Sequence, residues 1–275
     1  MSELAIRRVV VACDSACELG PTIETATRLA AYWGAGLHGV FLEDPDLRRM
    51  AGLPFVRQIA LPSGAVAGFG PSEVEAHFRS ISRRAQRLLA EAASRLNLAW
   101  SFSVEPEDLA GPAVHDPGPD LLVLPARARP FAGHYRLPSR WVRLPYRTAH
   151  SVLLLRGGKA AGDRVVLLLD PTTKGARRSI IAAAEMAAFN RWPLVILAKE
   201  PADAEEIRRA ASMVSRAVAL QSRVEPVADT PAIDEQTLAG FGAGLLVVEA
   251  SVAEAQAPDP ENLVARIPID ILLVR

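Results

Sequence analysis

Short apolar runs punctuate the chain, separated by longer stretches in which apolar residues recur every three or four positions. Val9-Val10-Val11, Leu121-Leu122-Val123-Leu124, Val165-Val166-Leu167-Leu168-Leu169 and Leu245-Leu246-Val247-Val248 are continuous rather than alternating. Runs of this kind, bounded by turn residues, predict strands buried on both faces of a parallel sheet. Val74, Phe78, Ile81, Ala85, Leu88, Leu89, Ala92 and Leu96 recur at steps of three and four along a helix, and Arg79, Arg83, Arg84 and Arg87 fall largely on other faces. Ser72 and Glu75 stand at the spacing of a capping box, which places the helix start at Ser72. Strand and helix alternate throughout. The expected class is α/β, doubly wound, with ligands beyond the carboxyl ends of the strands.

The pattern occurs twice. Residues 9–45 and 165–201 align without a gap at an offset of 156, matching Asp14 with Asp170, Trp33 with Phe189, Val40 with Ile196 and Pro45 with Pro201. Ser151-Val-Leu-Leu-Leu-Arg156 resembles Asp270-Ile-Leu-Leu-Val-Arg275. A long-period duplication with matching starts and stops predicts two copies of one domain. Their bounds are 1–157 and 158–275, with the Gly157-Gly158-Lys159-Ala160-Ala161-Gly162 stretch as the linker. The first copy carries an insertion at about 46–71, rich in Gly and Pro and read as a loop. It is also a place where a protein partner would dock.

Composition narrows the class. The 275 residues are half hydrophobic and carry 31 cations against 31 anions. That excludes wholesale disorder and a surface basic all over, so neither nucleic acid nor membrane is an expected partner. No apolar run approaches the roughly 20 residues of a bilayer span. The chain begins on a strand-like segment without a signal-peptide pattern, and two cysteines build no disulfide framework, so a cytoplasmic setting is expected. Cys13 and Cys17 lack the neighbours of a zinc site, and the five histidines form no ligand cluster, so no metal is expected. Neither a nucleophile elbow nor a phosphate-binding lysine loop is present. Gly240-Phe-Gly-Ala-Gly244 precedes a strand and reads as a helix stop.

The charge total conceals an asymmetry. Residues 121–162 contain no Asp or Glu and carry seven Arg and one Lys. Arg127, Arg129, Arg136 and Arg140 belong to this stretch, with His134, Tyr135, Trp141 and Tyr146 interleaved. Arginine holds phosphate and carboxylate through a two-pronged fork. Two readings stand: a face paired with the acidic second half, or an anion site. Asp14 and Asp170 likewise have two readings, since Asp at a strand-to-helix turn either caps the helix or accepts hydrogen bonds from a ligand.

Strand, Asp, helix, then a strand ending in Val40-Phe41-Leu42-Glu43, with a closing apolar strand, resembles the universal stress protein family. Both halves carry the pattern, as in the tandem-domain members. The resemblance implies two Rossmann-like domains, each with a five-stranded parallel sheet flanked by helices. It also implies that the domains pair through their last strands, here 152–155 and 271–274, and it leaves a further homodimer open. Many members bind ATP through Gly-x-x-Gly, about nine residues, then Gly-Ser or Gly-Thr. In the first half only Gly133 and Ser139 answer to that motif, and Ala128 stands near the first glycine. In the second half, residues 249–261 have no glycine and four acids. The expectation is a non-enzymatic stress-response module without the usual phosphate loop and with no certain cofactor. The alternative is ATP, AMP or another anionic metabolite bound in the first half only, with slow hydrolysis as its catalytic form. The residues for that site are Asp14 and Val40 at the base, and Arg127, Arg129, Gly133, Ser139 and Arg140 at the anion.

Overall fold

The computed structural model describes residues 6–14, 19–59, 64, 66–106, 121–128, 135–136, 148, 150–156, 162–199, 204–214, 218, 222–229 and 231–275. Strands β1 (Arg8–Cys13), β2 (Gly36–Glu43), β5 (Trp100–Pro106), β6 (Leu121–Pro125) and β9 (Ser151–Leu155) belong to the first half. Strands β10 (Arg164–Leu169), β11 (Leu194–Lys199), β12 (Arg223–Val227), β13 (Ala243–Glu249) and β14 (Asp270–Val274) belong to the second. All ten form one sheet in the order β12-β11-β10-β13-β14-β9-β6-β1-β2-β5. The same winding therefore occurs twice, mirrored about the middle of the sheet. Neighbours within each half are parallel. At the seam β14 runs antiparallel to β9, with Ile271 opposite Leu154, Leu272 opposite Leu153 and Leu273 opposite Val152.

Alternate residues of each strand feed two different cores, which explains the continuous apolar runs. Val9, Val11, Cys13, Val165, Leu167 and Leu169 face one core. It is closed by helices α1 (Leu19–Trp33), α3 (Pro71–Arg95), α4 (Ala176–Asn190) and α5 (Ala204–Ser212). Val10, Ala12, Val166 and Leu168 face the other. In the second half that core is closed by α6 (Glu235–Gly240), α7 (Ala250–Gln256) and α8 (Pro260–Arg266). Each fully buried Val or Leu contributes about 1.5–3 kcal/mol.

Paired groups finish the seam. The Arg156 backbone N–H, just past β9, donates to Asp270 Oδ1 at the start of β14 (2.8 Å). The Arg275 N–H, just past β14, donates to the Ser151 hydroxyl at the start of β9 (3.2 Å). Arg156 is itself buried and donates to the Val264 carbonyl oxygen. It belongs to the seam and not to the basic stretch in which the sequence places it.

Three local expectations are corrected. The 46–71 insertion contains regular structure: α2 (Pro45–Ala51), capped by the Asp44 carboxylate on the Asp46 N–H (2.8 Å), and an antiparallel pair β3 (Arg57–Ile59) and β4 (Val66–Gly68). Helix α3 opens at Pro71 with Gly70 as N-cap, so Ser72 makes no capping box. Pro71 carries no N–H and sits at the first turn without loss, and Glu73, at the third helical position, reaches back to the Gly70 backbone. The acidic stretch after β13 is helix α7 rather than a loop. The Gly240–Gly244 reading holds: α6 stops there and Gly242 takes φ +66° before β13. The proline-rich 107–120 stretch lies outside the described residues.

Candidate functional site

The carboxyl ends of the central strands form two edges, one per half. In the second half β10 delivers Asp170, β11 delivers Lys199 and β13 delivers Glu249. Asp170 Oδ1 accepts from the Thr172 N–H (3.0 Å) and the Thr172 hydroxyl (2.6 Å). Lys199 Nζ lies 3.8 Å from Asp170 and 3.6 Å from Asp229. The Thr172 hydrogen bonds, with Lys199 behind them, hold the Asp170 carboxyl below its ordinary range.

Glu249 turns back toward the helix that follows β10. Its carboxylate accepts from the Thr173 hydroxyl and from the Ser251 hydroxyl (2.8 Å). It lies against Gly175, the N-cap residue of α4, so closely that a β-carbon there would stand 2.7 Å from Glu249 Cδ and 2.9 Å from either oxygen. Gly175 supplies no capping side chain, and the first turn of α4 contains no acid. The unpaired N–H groups and positive dipole end of a helix attract an anion. Here the chain's own carboxylate stands beside that end of α4, held by the Thr173 hydroxyl.

The first half is built differently at each of these points. Asp14 follows β1 and is buried at 8% exposure. Val40, fully buried in β2, lies beside Ala12 of β1. The offset that pairs Asp14 with Asp170 pairs Glu43 with Lys199 and Leu19 with Gly175. Matching the runs 121–124 and 245–248 pairs Pro125 with Glu249. No carboxylate can therefore plug the first edge from the end of β6. Glu43 turns outward to Arg48 of α2. Past β6, Arg127 lies on β7 (Arg127–Ala128), which pairs with β8 (Tyr135–Arg136). Arg129, Gly133, Ser139 and Arg140 lie outside the described residues.

The structure thus puts Asp14 just past the end of β1, Val40 on the neighbouring β2, and the backbone of Arg127 just beyond the end of β6. Sequence reasoning missed Glu249 as a plug and Gly175 as its seat. The signal was present: at these two places the aligned halves differ in kind, Pro against Glu and Leu against Gly. A second polar cluster was also missed. His38 Nδ1 contacts the Ser101 hydroxyl (2.7 Å), Nε2 contacts the Ser103 hydroxyl (3.2 Å), and Ser103 donates to Glu105 (3.1 Å). Burial, with Arg8 nearby, pushes the His38 imidazole below its ordinary pKa. Among the described residues, no group of three His, Cys, Asp or Glu side chains is placed to hold a metal ion, and no helix is long and apolar enough to cross a membrane.

This is a doubly wound α/β protein whose two halves share one sheet and expose two unlike strand-end edges. Solved structures have the same plan. A universal stress protein from Archaeoglobus fulgidus DSM 4304 superposes with a TM-score of 0.61 at 11% identity, over 98% of this chain and 96% of that one. A candidate universal stress protein from Pseudomonas aeruginosa UCBPP-PA14 gives 0.57 at 16%, over 98% and 94%. A functionally unknown protein from Pseudomonas aeruginosa PAO1 gives 0.55 at 15%, over 98% and 93%. The fold of this chain is that of the universal stress protein structures over nearly its whole length. No family model and no curated protein matches the sequence.

Proposed function

We propose that the chain is a non-enzymatic, cytoplasmic stress-response module of the universal stress protein kind, in which only the first half retains an edge open to a ligand. The observation that carries this reading is Glu249, whose carboxylate lies against Gly175 at the head of α4 and accepts from the Thr173 hydroxyl. A nucleotide phosphate brought there would meet like charge at contact distance. The first half has Pro125 in that place, with the buried Asp14 just past β1 and Val40 on the adjacent β2. An adenine nucleotide or another anionic metabolite would set its base against Asp14 and Val40. Its anion would meet Arg127, Arg129, Gly133, Ser139 and Arg140.

Calorimetric titration with ATP, ADP and AMP tests this. The expected result is no more than one site per chain, abolished by Asp14→Ala and unaffected by Asp170→Ala. Two sites, or binding that survives both Asp14→Ala and Arg127→Ala, would overturn the assignment. Phosphate release above that of the Asp14→Ala protein would revive the slow-hydrolase reading.

The insertion supports a second role. Met50, Leu53, Phe55, Ile59 and Val66 are five of the ten exposed large hydrophobics among the described residues. Phe55 is 75% exposed. Exposed apolar side chains concentrated within one segment of the chain favour a protein partner there. Loss of capture of that partner by a Phe55→Ser, Ile59→Ser protein that still binds its nucleotide would separate docking from ligand sensing.

A further inference from the structure

The second half has a groove that its closed strand edge does not use. It lies between α4 and α5 and encloses about 480 Å³. Leu169, Ile180, Ile207 and Ala210 supply its apolar walls, and neither Asp170 nor Glu249 lines it. Lys174, Arg177 and Arg209 stand among its lining residues with a single acid, Glu206. Arg177 donates toward Met213 Sδ (3.4 Å), so a cation of α4 lies across the groove to the residue just past α5. Met213 is 56% exposed and unbranched, a side chain that moves aside readily. Among the described residues Lys174 and Arg209 form no ion pair.

The duplication supplies an internal control. The first-half residues matched to Lys174, Arg177 and Ile180 are Glu18, Pro21 and Glu24. Two acids and a proline there correspond to two cations and an apolar wall here. A groove of this volume, apolar within and cationic at its mouth, has the size and lining of a small-molecule site. Its charge selects the end group, because a net positive rim favours an anion and disfavours a cation.

We propose that the groove between α4 and α5 binds a medium-chain acyl carboxylate, with the chain along Leu169, Ile180, Ile207 and Ala210 and the carboxylate at Lys174, Arg177 and Arg209. Pro171 and Thr173 also line the groove, so it adjoins the closed edge of the second half, but the nucleotide reading concerns the first half and would survive its failure. The occupant is a single amphiphile and not a membrane, because the apolar surface is recessed between two helices instead of projecting from them.

Calorimetric titration of the full chain with octanoate, decanoate and uncharged decanol, all below their micellar concentrations, tests the proposal. Decanoate is expected to bind about tenfold more tightly than octanoate, as two further methylenes leave water. Decanol is expected to bind at least about tenfold more weakly than decanoate, for want of the charged contacts. Lys174→Glu with Arg177→Glu, both exposed positions, should remove decanoate binding while the far-ultraviolet dichroism stays unchanged. Ile180→Glu, which installs the first half's residue, should do the same where it folds. Equal affinity for octanoate and decanoate, decanoate binding retained by the double Glu variant, or binding to anionic vesicles without binding to monomeric decanoate would each overturn the proposal.

Discussion

The two strand-end edges start from one plan and end as opposites. Both begin with an aspartate after the first strand. In the second half the neighbouring polar groups close on one another: Thr172 and Lys199 on Asp170, Thr173 and Ser251 on Glu249, and Glu249 on the α4 N-terminus. In the first half Glu43 faces Arg48 and Pro125 replaces the plug. A polar network satisfied within itself rigidifies its surroundings and leaves little for a ligand to gain. The two halves therefore share the strands, which the cores demand, and differ in the residues just beyond their ends.

The largest effect should come from the seam that both halves share. Leu272 sits opposite Leu153 and is 3% exposed. Leu272→Ala should cost about 2–5 kcal/mol, from lost transfer free energy and the cavity left behind. Urea unfolding followed by tryptophan fluorescence and by far-ultraviolet dichroism should still give coincident transitions. Two separated transitions would show that the halves are stable alone and that the seam does not couple them.

Gly175→Ala comes next. Its backbone (φ −89°, ψ −2°) suits any residue, so the substitution carries no conformational penalty. Only the new methyl against Glu249 opposes it, an overpacking cost of about 1–3 kcal/mol. In a Glu249→Ala background that cost should disappear. A penalty that persists without Glu249 would mean the carboxylate does not seat on Gly175.

Much of this fold was legible in the sequence, and the reason is burial. Val9-Val10-Val11 and 165–169 feed two cores at once, so every residue must be apolar, and the strand shows as an unbroken run. Helix α3 was legible through its three- and four-residue steps, but its start was not. Ser72 lies one residue inside the helix because Pro71 fixes the first turn, and propensity at Ser72 cannot outweigh that. The insertion misled for a similar reason: its Gly and Pro residues read as loop, yet Asp44 caps α2 and Ile59 pairs with Val66. The places of Asp14, just past β1, and of Val40, within β2, were legible from the repeat. The Glu249–Gly175 contact was not, since a carboxylate 74 positions from its seat shows no pattern along the chain. Only the mismatch between the halves marked it.

A smaller effect separates the two ends of the seam. Burial pushes the Asp270 carboxyl above its ordinary range, against the opposing pull of the Arg156 N–H and guanidinium. A raised pKa in the folded state means stability that is complete in acid and lost as the pH rises through the folded value. Asp270→Asn keeps the acceptor for the Arg156 N–H and carries no charge. Its denaturation midpoint should equal that of the parent below the ordinary aspartate pKa and exceed it at neutral pH. Equal midpoints at neutral pH would show that Arg156 compensates the buried charge. The matching position in the first half, Ser151, has no charge to titrate, so the asymmetry should vanish in the variant.

The smallest effect is expected from Lys199→Glu, which gives the second edge the residue that the first edge has in Glu43. Asp170 loses the cation 3.8 Å away and gains a like charge, while its stronger partners in Thr172 remain. Its carboxyl pKa should rise toward the ordinary value without reaching it, as followed by carbon-detected titration of the side chain. The sign for stability is the reverse of that at Asp270. A depressed carboxyl stabilises above its unfolded pKa and loses that contribution as the pH falls through the folded value. The variant should therefore lose a little stability at neutral pH and none in strong acid. The loss should stay within about 1 kcal/mol, because the lysine and Asp229 both reach solvent. A larger loss would mean that Lys199 holds the edge together. In that case the second half would be closed by its lysine as much as by Glu249, and removing the plug alone would not turn it into a copy of the first.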